Sequence, residues 1–455
     1  MQIINVNDVI SDSTFNRFHF LLLLWCCFII MFDMYDLVIY GSVLPVLMEE
    51  WALTPVQGGA IGSYGFFGMM LGAIVFGVLA DRLGRKNVLL VCTLLFSAST
   101  ALCGLAPGPV AFSIFRFLGG LGIGGVVPNA IALLTDYGPK NNRNIMVAIA
   151  MCFFPVGGIL AALLGMVLIP VFGWKVLYYI SALPILFLPL MYKQIYDSPS
   201  ILLAKGKMDE LRKALSKVNN NLVFSKDVKF EMVKEEKDPG SPVTALFKNN
   251  RAIGTLMIWV AFFMCLLMVN GLTTWLPNFM VEAGYELGSS LSFMIVLHVG
   301  SIIGTLFLGG IADKWGTKRV LVPMFIVAAI SLSFLGLGNN LILLYLLVGI
   351  TGACTIGAQS ISYSFASQYY PSFIRATAVG LASGIGRVGA IVGPAFGGVL
   401  LTLQLPVHMN FIAFAIPGII AAIAFTFVPL NNKKEGGKVK NKTLLEKTAT
   451  HSSIK

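Results

Sequence analysis

Four ionisable side chains interrupt long apolar runs of this sequence: Asp33 and Asp36 in FDMYDLVIYG, Arg116 in SIFRFLGG and Arg387 in GIGRVG. Asp33 and Asp36 are three residues apart and Tyr40 follows four later, so on a helix all three share a face. Two carboxylates one turn apart in a low-dielectric site resist ionising together, which suits proton binding. The same pair also fits a structural role opposite a base. Arg387 requires an anionic partner, and its planar fork matches a carboxylate, whether of a ligand or of the protein. Arg116 falls within roughly 5 Å in depth of Asp36 at helical rise, which allows a buried ion pair or a proton relay. His298, well inside another apolar run, either titrates and donates to a ligand or packs as a neutral ring. Tyr40, Trp275 and Gln359 complete the candidates for contact with a ligand, with Tyr64, Phe153, Phe154, Phe279 and Tyr363 as further aromatic wall.

The elements that must position these residues are membrane helices. Of 455 residues, 57% are hydrophobic and 12% charged, with mean hydropathy +0.83, a composition that no soluble fold can shield from water. A helical span needs roughly 20 mainly apolar residues, and twelve such runs occur between about residue 19 and about residue 430. An intramembrane charge costs from about 2.5 kcal/mol upwards, so the four charged residues are expected to face a bundle interior. The net charge of +11 distributes by the positive-inside bias. Of 32 Lys and Arg, Arg116 and Arg387 lie in spans, Lys175 in an external loop, and the other 29 on the opposite side. Both termini are therefore expected in the cytoplasm. A polar segment precedes a first span too long for a signal core, so no cleavable leader is expected.

The chain repeats itself. GVLADRLGRK at Gly77 to Lys86 returns in modified form as GGIADKWGTK, and Asp313 minus Asp81 gives an offset of 232. Without gaps that offset pairs Pro45 with Pro277, Glu50 with Glu282, Gly125 with Gly357, Tyr137 with Tyr369, Pro139 with Pro371, Arg143 with Arg375, Gly157 with Gly389 and Gly165 with Gly397. Two homologous halves of several spans are a common construction of secondary transporters. The expected organisation is a six-helix half over 1–192, a cytoplasmic linker over 193–250 with short amphipathic helices near 201–218, a second six-helix half over 251–430 and a basic tail over 431–455. The repeated acid, base and glycine order of the loop fits a charged gate made of Gly77, Asp81, Arg82, Gly84, Arg85 and Lys86 and, in the copy, Asp313, Lys314 and Gly316. The same offset sets Met268 opposite Asp36 and Val348 opposite Arg116, so the halves share a frame and differ in chemistry.

GVLADRLGRK, its copy and the twelve spans resemble the major facilitator superfamily over nearly the whole chain. Within it, FDMYDLVIYG followed by LPVLMEEW, together with the N-terminal INVNDVISDSTFNRFH, is similar to the aromatic acid:proton symporter family, benzoate transporters included. Asp33 and Asp36 fall on that family's two acids, Met34 stands where its pattern has glycine, and Arg387 matches its arginine in span eleven. The resemblance implies an all-α membrane fold of two pseudo-symmetric six-helix halves. It also implies proton-coupled import of benzoate, a hydroxybenzoate or a similar acid across a bacterial inner membrane, acting as a monomer. The loaded, protonated carrier then reorients while the empty, deprotonated one waits. Another small organic anion, or a sensor on the same frame, is the alternative. Span five reads GGILAALLG at Gly157 to Gly165 and lacks the Gly-Pro pair of antiporters, which favours symport, although GAIVGPAFGG occurs in span eleven.

Other classes lack their residues. The pattern at Gly120, Gly122 and Gly125 matches a dinucleotide loop but has no preceding strand. Neither HExxH nor GxxxxGK[ST] is found, and the seven cysteines fall inside spans without metal spacing. No enzyme, metal, cofactor beyond the coupling proton, or nucleic-acid partner is expected.

Overall fold

The computed structural model describes residues 3–219, 224, 228–232, 242–248, 251–336 and 340–429. Among them, twelve helices are long and apolar enough to cross a bilayer. Spans one to six are Arg17–Glu50, Pro55–Leu83, Arg85–Cys103, Pro109–Tyr137, Arg143–Phe172 and Lys175–Gln194. Spans seven to twelve are Ala252–Glu282, Leu287–Trp315, Thr317–Leu335, Leu341–Tyr369, Ser372–Thr402 and Val407–Phe427. An even number of crossings returns both ends to one side, called here the terminal face; the other is the distal face.

Local chemistry sets the helix ends. Asn16 and His19 form a capping box at span one, Thr54 and Gln57 another at span two, and Pro55 and Pro109 occupy first-turn positions where no N–H is needed. Span six breaks between Lys175–Ile180 and Leu183–Gln194, just before Pro184, which has no N–H to continue the ladder. Span eight carries one π turn at Gly304–Leu308.

The 232-residue offset holds in three dimensions. Spans two, three and four begin at 55, 85 and 109 and end at 83, 103 and 137; spans eight, nine and ten begin at 287, 317 and 341 and end at 315, 335 and 369. Each bound in the second set is its counterpart plus 232. Gly84 and Gly316, themselves 232 apart, turn the chain between spans with φ of 104° and 94°, a region that costs a side chain strain. Gly157 lies against the backbone of Met31, and Gly389 against that of Phe263, again at the same offset.

The halves meet toward the distal face. Span one touches span seven where Gly41 faces the carbonyls of Thr273 and Thr274, and span two touches span eleven where Gly59 faces Pro394 and Gly398 faces Pro55. Ser63 Oγ donates across this seam to the Ile391 carbonyl at 2.6 Å. Span five meets span eight at Gly158 against His298 and Gly165 against Leu291. Toward the terminal face, a Cβ on Gly77 of span two, or on Gly380 or Gly384 of span eleven, would meet nothing within 4 Å.

Between the halves, helices Pro199–Ala204 and Met208–Val218 cover the terminal face of the first half. Strand Lys229–Glu231 pairs in parallel with Ile3–Asn5. Asn16 Nδ2 donates to the carbonyls of Lys217 and Val218 at 2.9 Å each, fixing the second helix to the start of span one. The basic tail at 431–455 lies outside the described residues.

The two turn glycines differ in surroundings, which makes them a test. A Cβ on Gly84 would land on the Asp197 carboxylate, whereas one on Gly316 would meet open space. Gly316→Ala should cost about 1–2 kcal/mol of backbone strain alone. Gly84→Ala should cost more, because Asp197 must also leave its bonds from the Lys86 N–H at 3.2 Å and the Ser198 N–H at 2.9 Å. Thermal unfolding of the two purified variants checks this order; equal midpoints would refute it.

Candidate functional site

Span one carries both acids into the bundle, with Asp33 2% and Asp36 1% exposed. Arg116 of span four, 4% exposed, approaches Asp36: its Nη1 donates to the Asp36 carbonyl at 3.1 Å and stands 3.4 Å from Asp36 Oδ1. The guanidinium lies 5.1 Å from the centre of the Tyr40 ring. Opposite, a Cβ on Gly65 would sit 3.3 Å from Arg116 Nη2, so glycine in span two makes room for the cation. The Tyr40 hydroxyl donates to the Gly58 carbonyl at 2.5 Å. Tyr40, expected to touch a ligand, is therefore a floor for Arg116 and a tie between spans one and two.

Asp33 has a different situation. Its Oδ1 is buried without a hydrogen-bond partner among the described residues. Asp36 follows it one turn on along the same helix. Arg387 stands at the middle of span eleven, where its Nη1 donates to the Met69 carbonyl of span two at 2.9 Å. One turn before it on the same helix, the Ser383 hydroxyl lies 3.2 Å from that of Tyr363. Gln359, one turn from Tyr363 on the same helix face, is partly exposed. Spans two, ten and eleven thus meet around one base and a set of polar groups, with the acid Asp33 at the middle of span one.

Two other candidates sit elsewhere. Trp275 donates from Nε1 to the Pro394 carbonyl at 2.7 Å and stacks on Phe279, fully buried in the second half. It packs there instead of presenting its indole to a ligand. His298 is also fully buried, and neither ring nitrogen has a partner among the described residues. Its ring fills the space over Gly158, where a Cβ would stand 2.5 Å from Nε2. In this conformation the imidazole belongs to the closed seam between spans five and eight. Of the other aromatic residues, Tyr64 and Phe153 are 47% and 37% exposed, and Phe154 packs against the core.

The charged loops divide into anchored and free residues. Arg85 bridges Asp136 at 2.6 Å, and Ser198 donates to the same carboxylate at 2.5 Å. Lys86 stacks on Tyr192 at 4.2 Å, and the Tyr137 hydroxyl donates to the Asp197 carbonyl. The copy uses neutral chemistry at the same places: Thr317, 232 after Arg85, donates to Gln368, 232 after Asp136, at 2.9 Å. Lys318, matching Lys86, caps the carbonyls of Thr426 and Val428 at 2.8 and 2.7 Å. Asp81, Arg82, Asp313 and Lys314 are exposed on the terminal face.

Sequence reasoning missed Asp136, Asp197, Ser198, Ser383 and the Met69 carbonyl. Asp136 precedes the repeated Tyr137 and has a polar counterpart in Gln368, a signal that a search for identical residues overlooks. A backbone carbonyl gives no signal at all.

Known proteins match over nearly the whole length. The sequence profile of the Major Facilitator Superfamily matches residues 26–311 and 292–452. The benzoate transport protein of Acinetobacter baylyi is 42% identical over 92% of this chain and 91% of its own. The gentisate transporter of Corynebacterium glutamicum is 34% identical over 88% and 85%. Among solved structures, the xylose transporter XylE from E. coli in a partially occluded inward open conformation superposes with a TM-score of 0.71 at 17% identity, covering 91% of this chain and 98% of that one.

Because Asp36 is the one acid within ion-pair distance of the buried Arg116 among the described residues, the pair is testable by double substitution. Removing one member of a buried pair strands the other charge, at about 3–5 kcal/mol. Arg116→Gln should destabilise the purified protein strongly, and adding Asp36→Asn should restore much of the loss. Additive losses in the double-mutant cycle would show that the two charges do not depend on each other.

Proposed function

Since this chain belongs to the major facilitator superfamily and is a multi-pass transporter, not an enzyme, we propose that it imports a small aromatic carboxylate with protons across a bacterial cytoplasmic membrane. The reading rests on one observation: a buried carboxylate in span one, Asp33, whose Oδ1 has no hydrogen-bond partner among the described residues, and a guanidinium in span eleven, Arg387, which bonds across the halves to the Met69 carbonyl, both stand at the middle of their spans. The names of the relatives, benzoate and gentisate transporters, support an aromatic acid as cargo. The positive-inside bias supports placing the terminal face in the cytoplasm. The monomer is the working unit, and no cofactor beyond the proton takes part.

Electrostatics supply the coupling. In this scheme the negative charge of Asp33 and the positive charge of Arg387 balance at mid-membrane when the site is empty, without a salt bridge between them among the described residues. A substrate carboxylate docks on the Arg387 fork. Asp33 then lacks its countercharge, and a proton restores neutrality. By reciprocity, a proton on Asp33 frees Arg387 for the carboxylate to the same degree. The empty ion pair and the doubly loaded site both carry zero net charge, whereas substrate alone or proton alone leaves an unbalanced charge that is costly to occlude in an apolar surround. This revises the expectation that the empty carrier waits: opposed by Arg387, deprotonated Asp33 lets it return. One proton then moves per monovalent carboxylate, electrically silent. Asp36 stays with Arg116 and does not cycle. Tyr363, Ser383 and Gln359 are the groups available to ring substituents.

Two measurements in proteoliposomes test the scheme. Asp33→Asn leaves Arg387 unbalanced when empty and neutral when substrate is bound. Accumulation driven by a pH gradient should be lost while exchange of labelled for unlabelled substrate persists. Concentrative uptake by that variant with unchanged pH dependence would remove Asp33 from the proton path. Arg387→Lys keeps the charge but loses the fork, so substrate affinity should fall roughly 10- to 100-fold, the worth of one charge-assisted hydrogen bond. Wild-type affinity would exclude Arg387 from the site.

A further inference from the structure

We infer that the terminal face holds a binding site for the phosphodiester headgroup of an anionic phospholipid, separate from the transport site. A cavity of about 350 Å³ is lined by Arg17, Phe18, Leu21, Gln194 and Lys217. Arg17 is the first residue of span one and Gln194 the last of span six, so the cavity lies at the depth where headgroups meet water. Its third wall, Lys217, comes from the last turn of helix Met208–Val218. That helix packs Leu211, Ala214, Leu215 and Val218 into the protein and turns its charged face outward.

The walls are held in place by bonds that do not use the lining groups' donors. Asn16 Nδ2 holds the Lys217 and Val218 carbonyls at 2.9 Å, which leaves the lysine side chain free to lie 5.1 Å from the Tyr196 ring. Gln194 Oε1 accepts from Trp25 Nε1 at 2.8 Å; with its oxygen occupied, the amide presents its NH2 end. The lining therefore offers a guanidinium, an ammonium and an amide donor, and no acid. Its floor is apolar, through Phe18 and Leu21. On the same helix Phe20 and Leu24, 53% and 41% exposed, continue an apolar surface into the bilayer. Cationic donors above and hydrocarbon below fit a lipid, whose phosphate and acyl chains are joined, better than a free anion. The site clamps the interdomain linker to span one and span six, and it stands whether or not the transport reading does.

Native mass spectrometry of the delipidated full chain, exposed to mixed micelles of phosphatidylglycerol and phosphatidylcholine, tests this. The wild type should retain phosphatidylglycerol preferentially. Arg17→Gln with Lys217→Gln should lower that preference about fivefold per basic side chain, roughly 25-fold for the pair. Lys140→Gln with Lys213→Gln removes the same charge from exposed positions outside the lining and should leave it intact. Leu21→Trp, which fills the floor without changing charge, should also lose the lipid and serves if the double variant does not fold. Equal loss in the control pair would reduce the effect to general surface charge. Displacement of the lipid by millimolar inorganic phosphate would make the ligand a free anion. Either result overturns the proposal.

Discussion

Charge balance inside the apolar bundle is the constraint on which the rest of this structure depends. Asp33, Asp36, Arg116 and Arg387 are two acids and two bases: Asp36 pairs with Arg116, and Asp33 and Arg387 stand at the middle of spans one and eleven. The pairs are built differently. Asp36 and Arg116 are contributed by the same half and are enclosed by Tyr40 and Gly65, so their relation survives any movement between halves. Asp33 and Arg387 are contributed by opposite halves, so theirs changes whenever the halves rearrange. A fixed pair suits structure and a divided pair suits coupling.

That division explains how two copies of one frame came to differ. The repeat offset sets Cys265 and Met268 opposite Asp33 and Asp36, Val348 opposite Arg116 and Pro155 opposite Arg387. A duplicated site would hold four acids and four bases, each needing a partner within the bilayer. The frame itself is repeated for another reason. In lipid there is no hydrophobic force between helices, so close backbone approach through small residues takes its place. Gly157 on Met31 and Gly389 on Phe263 repeat the same crossing, and substitution at either would push its helix away from the neighbour.

Much of this was legible in the sequence because membrane proteins encode depth and repetition directly. Twelve apolar runs gave twelve spans, the offset of 232 predicted matching helix ends, and helical rise put Arg116 near Asp36. What could not be read was which neighbour each side chain meets. Tyr40 shares a face with both acids, yet its hydroxyl goes to Gly58 and its ring to Arg116. Trp275 and His298 lie at suitable depths, but one bonds to Pro394 and the other fills the notch at Gly158. Such contacts depend on helix rotation and on the arrangement of the halves, which one sequence read at helical period does not carry.

The seam between the halves is closed by means that favour reopening. Where it is closed, Ser63 donates to the Ile391 carbonyl and Arg387 to that of Met69. Glycines pack there against backbone at Thr273 and Pro394 and against the side chains of His298 and Leu291, and the described cross-half salt bridges number none. A hydrogen bond to a neutral carbonyl contributes only about 0.5–1.5 kcal/mol net, or about 1.5–3 when the donor is charged, so this closure opposes separation by a few kcal/mol. On the terminal face the exposed charges of Asp81, Arg82, Asp313 and Lys314 offer a second kind of closure, made of ions and screened by salt. A carrier needs both sides to close and neither to lock. Neutral contacts on one face and solvated charges on the other keep each closed state shallow, so that a small change in charge balance at mid-membrane is enough to decide between them.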